Sequence, residues 1–99
     1  MPLLIYGTDP RGQSFYEVTS SINISSSGAY FALDQPIEVE SELEVSVFLV
    51  AHGVNARFNA KARVVRRDAV SHYDLSGAAL STTNLAVHFL ESLQHSPAA

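Results

Sequence analysis

The chain has 99 residues, 46% of them apolar and 16% charged, which describes one small globular domain with a single modest core rather than a disordered segment. It holds no cysteine, so disulfides, thiolate chemistry and cysteine metal sites are excluded. A formal net charge of −4 argues against broad capture of nucleic acid, which needs a basic face, but leaves room for a small anionic ligand.

Leu3 to Tyr6 reads as a short first strand. The start, Met1-Pro2-Leu3-Leu4-Ile5-Tyr6, lacks the basic segment and long apolar region of a secretory leader. No apolar run approaches the ~20 residues that a membrane helix needs. A cytoplasmic protein without membrane contact is the expectation. Gly7-Thr8-Asp9-Pro10-Arg11-Gly12 is dense in turn formers and reverses the chain.

Ser14 to Ile24 alternates with period 2. Tyr16, Val18, Ile22 and Ile24 share the more apolar parity, which predicts that this face is buried. Phe15, Glu17, Thr19, Ser21 and Asn23 share the other. Asn23 and Ser25 then fall on the wetter parity, free to meet a ligand. The run Asn23-Ile24-Ser25-Ser26-Ser27-Gly28 ends the strand in small hydroxyl residues and a glycine, which expose backbone N–H groups and side-chain oxygens at a sheet edge or barrel rim. An ordinary bulge or turn reads the same way.

Ala29 to Leu33 is a further strand, broken by Asp34-Gln35-Pro36. Glu42 to Ala51 follows, with Leu43, Val45, Val47, Leu49 and Ala51 on one face. His52-Gly53-Val54-Asn55 is a hairpin-sized connection, and Ala56 to Arg67 is its return strand. Glu42 and Glu44 are expected to face Arg57, Lys61 or Arg63 as exposed cross-strand ion pairs, each worth about 0.2–1 kcal/mol. Asp68 to Asn84 reads as a loop with at most a short strand. Leu85 to Leu90 is a closing strand, Glu91 to His95 a helical turn, and residues 96–99 a frayed tail after a domain of residues 1–95. Six or seven short strands without a packed helix predict an all-β fold, a sandwich or a small barrel.

Enzyme signatures are missing from this sequence. It has no Gly-x-Ser-x-Gly elbow, no phosphate-binding glycine loop with lysine, and no His-Glu-x-x-His. His52, His72, His88 and His95 lack metal-ligand spacing, and Ser25, Ser26 and Ser27 have no visible base. No catalytic residue, metal or cofactor is predicted. Asp74-Leu75-Ser76-Gly77 echoes part of the Asn23 run but has Ala79 where a glycine should stand.

Asn23, Ser25 and Gly28 match the signature Asp/Asn-x-Ser-x-x-Gly, and the chain resembles the PilZ domain, a six-stranded antiparallel β-barrel of bacteria. Gly7-Thr8-Asp9-x-x-Gly12 ahead of Phe15 and Glu17, Ala62-Arg63-Val64-Val65 in the hairpin, and Ala86-Val87-His88-Phe89 at the closing strand extend the resemblance over nearly the whole chain. The resemblance implies a stand-alone receptor or adaptor for the second messenger cyclic di-GMP, with the Asn23–Gly28 rim on the guanine side. Family members also grip the ligand with Arg-x-x-x-Arg on a segment before the barrel, because guanidinium forks match phosphate oxygens and the guanine O6/N7 edge. That pair is absent here. Arg11 is the lone arginine before Asn23 and is assigned the phosphate contact, with Arg66 and Arg67 as compensating contacts. The alternative is a divergent barrel that has lost cyclic di-GMP and works through an unidentified protein partner.

Overall fold

In the computed structural model, which describes residues 1–51 and 53–96, every regular element is a β-strand. The strands are β1 (Pro2–Thr8), β2 (Ser14–Ile24), β3 (Gly28–Ala32), β4 (Glu42–Ala51), β5 (Val54–Tyr73), β6 (Ala79–Phe89) and β7 (Gln94–Ser96). They pair antiparallel in the order β4-β1-β2-β3-β6-β5, and β5 returns to β4. The result is a closed six-stranded barrel, which leaves few open sheet edges. Short β7 adds to β5 at Arg57–Asn59. No helix among the described residues is long and apolar enough to cross a membrane.

Alternation along each strand fills the interior. Leu3 and Ile5 of β1, Phe31 of β3, Leu43 and Val45 of β4, Ala62 and Val64 of β5, and Leu85 and Val87 of β6 form one buried cluster. The β3–β4 connection seals it, since Leu33 and Ile37 turn inward there. That loop is tied to β5 by Glu40 N–H donating to Val64 O at 2.8 Å and Val64 N–H donating to Ser41 O at 2.9 Å. The barrel therefore keeps its backbone groups paired where β4 has not yet begun.

The buried face of β2 is the reverse of the one its composition predicts. Tyr16 and Val18 are 73% and 72% exposed, and Ile22 also faces out. Register with β1 decides this. Buried Leu3 and Ile5 stand opposite Thr19 and Glu17, so those polar residues must lie on the inner side. Both find backbone partners. Thr19 Oγ1 donates to Ala32 O at 2.8 Å, and the Glu17 carboxylate accepts from Asp34 N–H at 3.0 Å. Their burial is thereby offset.

Three other expectations are corrected. Asp68 to Asn84 is no loop: β5 and β6 run on as a paired arm from Ala69↔Thr83 to Tyr73↔Ala79, past the end of β3 at Ala32. The segment predicted as a helical turn, Glu91 to His95, contains no helix and leads into β7. The β4–β5 register does set Glu42 opposite Arg63 and Glu44 opposite Lys61. Among the described residues, however, the ion pair that forms is Arg66–Asp68 at 3.1 Å. His52 of the predicted hairpin connection and residues 97–99 of the predicted tail lie outside the described residues, whereas Ser96 ends β7.

Candidate functional site

β2 carries Asn23 to the rim through a β-bulge. The β2–β3 register slips between Ser21 and Asn23. With Thr19 and Ser21 on the inner side, strict alternation would turn Asn23 inward as well. The extra residue at the bulge restores it to the outer face and returns Ile24 to the core margin. Asn23 is exposed as expected, for a reason that alternation does not contain.

The residues after it form a tight connection. Ser25 N–H donates to Gly28 O at 2.9 Å, and Phe89 N–H donates to Ser27 O at 2.8 Å, which fastens the loop to β6. Ser25 Oγ accepts from Ser27 N–H at 3.3 Å and lies 3.0 Å from Ser27 Oγ. A short hydroxyl side chain stabilises such a turn by replacing a backbone bond. Gly28 enters β3 pressed against β6, and a Cβ built there would collide with the Val87 carbonyl oxygen. Glycine is required by that approach of two backbones.

A cleft of about 190 Å³ opens on the outer face here, lined by Asn23, Ile24, Ser25, Gly28, Ala29 and Tyr30. The three motif residues thus share one surface depression. Behind the same loop an apolar mouth of about 360 Å³ lies between Met1, Ile24, Ser25, Ser26, Leu49, Phe58 and Leu93. Ser25 belongs to both walls.

Tyr30 links the cleft to β5. Its hydroxyl donates to Asp68 Oδ2 at 2.8 Å, and the Arg66 guanidinium lies 5.6 Å from its ring centroid. Arg66 Nε also donates to both Asp68 carboxylate oxygens. The Tyr30 hydrogen bond and the Arg66 charge hold the Asp68 carboxyl below the usual aspartate range. Arg66 therefore belongs to the surroundings of the cleft. Arg67 pairs with Leu85, on the opposite face of β5 from Arg66. Arg11 sits in the β1–β2 connection next to Ser14, at the far end of β2 from Asn23. Eleven residues of strand at about 3.3 Å each put some 30 Å between them. The structure does not bring Arg11 to the cleft. β1 already begins at Pro2, so Arg11 lies between two barrel strands and not ahead of the barrel.

The family model for the PilZ domain matches residues 1–96. The chain belongs to the PilZ domain family. Among solved structures, this PilZ domain is similar to one described as the PilZ domain with c-di-GMP of YcgR from Escherichia coli. The TM-score is 0.66 at 15% sequence identity, over 91% of this chain and 69% of that one. That similarity is one of fold. No curated protein matches the chain significantly.

Sequence reasoning did not place Tyr30 in the site, because in a strand pattern it reads as one more aromatic. It also overlooked His88 and Arg63, which pair across β6 and β5 in line with Gly28. Only the register aligns them. The echo at Asp74 is the β5–β6 turn, whose Asp74 Oδ1 accepts from Ser76 N–H and Ala78 N–H at 2.9 and 3.0 Å.

Proposed function

We propose that this PilZ domain is a cyclic di-GMP receptor or adaptor in bacterial second-messenger signalling, not an enzyme, and that it acts in the cytoplasm. The observation that carries the reading is the meeting of Asn23, Ser25 and Gly28 in one outward cleft beside Tyr30 and Arg66. In the proposed complex the Asn23 amide and Ser25 hydroxyl hydrogen-bond a guanine edge. Gly28 lets the loop close against β6 and so holds the rim in place. Arg66 faces a phosphate or guanine O6/N7 with its fork of donors. The similarity of fold to a PilZ domain described with c-di-GMP supports the ligand class. Isothermal titration calorimetry with cyclic di-GMP tests the reading. Saturable heat that weakens at least tenfold in Asn23→Ala is expected. No heat, together with no amide shift by NMR, would sink it.

A second reading rests on a separate observation. Arg11, the arginine expected to contact phosphate, lies far from the cleft. Meanwhile β1 and β2 present Tyr6, Tyr16 and Val18 to solvent. In this reading the domain binds a protein partner and no nucleotide. A stable partner complex that ignores cyclic di-GMP, formed by a protein that gives no calorimetric signal with the nucleotide, would favour it.

A further inference from the structure

The strand register gathers nitrogen donors that the sequence scatters over 25 residues. Gly28 stands opposite His88, His88 opposite Arg63, and Arg63 opposite Glu42 on β4. One step along the barrel, Asn23, Tyr30, Ala86 and Arg66 form a parallel row. Both rows face outward, because the residues between them, Ala29, Val87 and Val64, are core. The second row owes its alignment to a bulge at Val65, which keeps Arg66 on the same face as Arg63. Without it, Arg66 would fall on the inner parity.

The first row sets His88 and Arg63 beside Gly28, which lines the cleft. In the second, Ala86 stands between Tyr30 and Arg66, whose guanidinium reaches to 5.6 Å from the Tyr30 ring centroid. Neighbouring strands lie about 4.8 Å apart, so the Arg63 backbone is about 10 Å from Gly28 and its long side chain can reach over His88 toward the cleft. Arg66 is held by Asp68, whereas Arg63 has no carboxylate within ion-pair distance among the described residues, despite facing Glu42 in register. An exposed guanidinium left uncommitted beside an outward cleft is available to an anion.

We propose that Arg63 and His88, together with Arg66, form the phosphate-binding side of the cleft, taking over the task assigned to Arg11 and Arg67 on sequence grounds. The ligand's phosphodiester lies at the edge of the cleft beside Gly28 and His88. Arg63 donates two parallel N–H bonds to its oxygens, and an imidazole N–H of His88 donates a third. The inference rests on the reading of the cleft as a nucleotide site. It adds the residues that bind the phosphate, and two arginines, Arg11 and Arg67, that do not.

Calorimetry with cyclic di-GMP on the wild-type chain and on Arg63→Gln, His88→Gln, Arg67→Gln and Arg11→Gln tests it. Arg63→Gln should weaken binding at least about ten- to a hundred-fold, the range for losing even one of its charge-assisted bonds. His88→Gln should weaken it several-fold, and Arg67→Gln and Arg11→Gln should leave it within twofold. All four sites are exposed, and unchanged thermal melts will show that the variants fold. If Asn23→Ala abolishes binding while Arg63→Gln and His88→Gln do not change it, the nucleotide reading stands and the phosphate assignment falls. A second arm covers a wild-type chain that gives neither heat nor amide shifts with cyclic di-GMP. Titration with 5′-GMP, followed by ¹⁵N NMR, should then still shift the Gly28 and His88 amides and the Arg63 Nε–H. That outcome would overturn the cyclic di-GMP reading and keep the anion site. Absence of those shifts overturns both.

Discussion

The Tyr30 hydroxyl donates to the Asp68 carboxylate at 2.8 Å across 38 residues of sequence, joining β3 to β5 beside the motif cleft. The same carboxylate receives Arg66, so one aspartate positions both the aromatic wall and the cation of the site. In the proposed site Asp68 is thereby a positioning residue, one step removed from the ligand.

The Asp68 carboxyl should titrate below the ordinary aspartate value, chiefly because of Tyr30 and secondarily because of Arg66. A depressed folded-state pKa contributes stability that is present above the unfolded-state value of about 3.9 and is lost as pH falls through the folded-state value. Tyr30→Phe should move the Asp68 titration up, toward the ordinary range. Carbon-detected NMR of the carboxyl measures it. A titration unchanged in Tyr30→Phe would show that the hydrogen bond does not hold in solution.

Gly28→Ala should destabilise the barrel by about 1–3 kcal/mol, the usual cost of forcing volume into a packed site. The Cβ meets the Val87 carbonyl oxygen, and backbone cannot swing aside as a side-chain end can. Urea unfolding gives the number. If the variant is as stable as the wild type, the β3–β6 approach is looser than described.

Val18→Ser should change stability by no more than about 0.5 kcal/mol, as expected of an exposed site, while Phe31→Ala should cost about 3–5 kcal/mol. Val18 faces solvent and Phe31 is wholly buried. The pair tests the orientation of β2 directly. A large loss in Val18→Ser would restore the face that composition predicts.

Replacing Ser71–Ser81 by Asn-Gly, a two-residue hairpin turn, should leave a folded barrel with a cooperative melt. Every residue removed is exposed, and Val70 and Thr82, which the turn would join, already pair across the arm. Loss of the cooperative transition would show that the arm is needed for folding.

Composition and alternation by themselves determined the class of this protein: no cysteine, short period-2 strands and frequent turn residues suit a small all-β domain. The order Asn23, Ser25, Gly28 within those strands marked the rim. These features are local, and a strand's pattern or a turn's chemistry is written in neighbouring residues. Which face of β2 is buried was not legible. Tyr16, Val18 and Ile22 look like core until Leu3 and Ile5 impose their register on Thr19 and Glu17. The arm from Ala69 to Leu80 escaped because its strands are solvated on both sides and lack an apolar face to reveal them. Which nitrogen donors stand beside the motif was decided only by tertiary structure. Arg11 is nearer to Asn23 in sequence, yet an extended strand carries it to the far end of the barrel. His88, Arg63 and Arg66 arrive through two pairings and two bulges, and a one-residue change of register would send each to the other face.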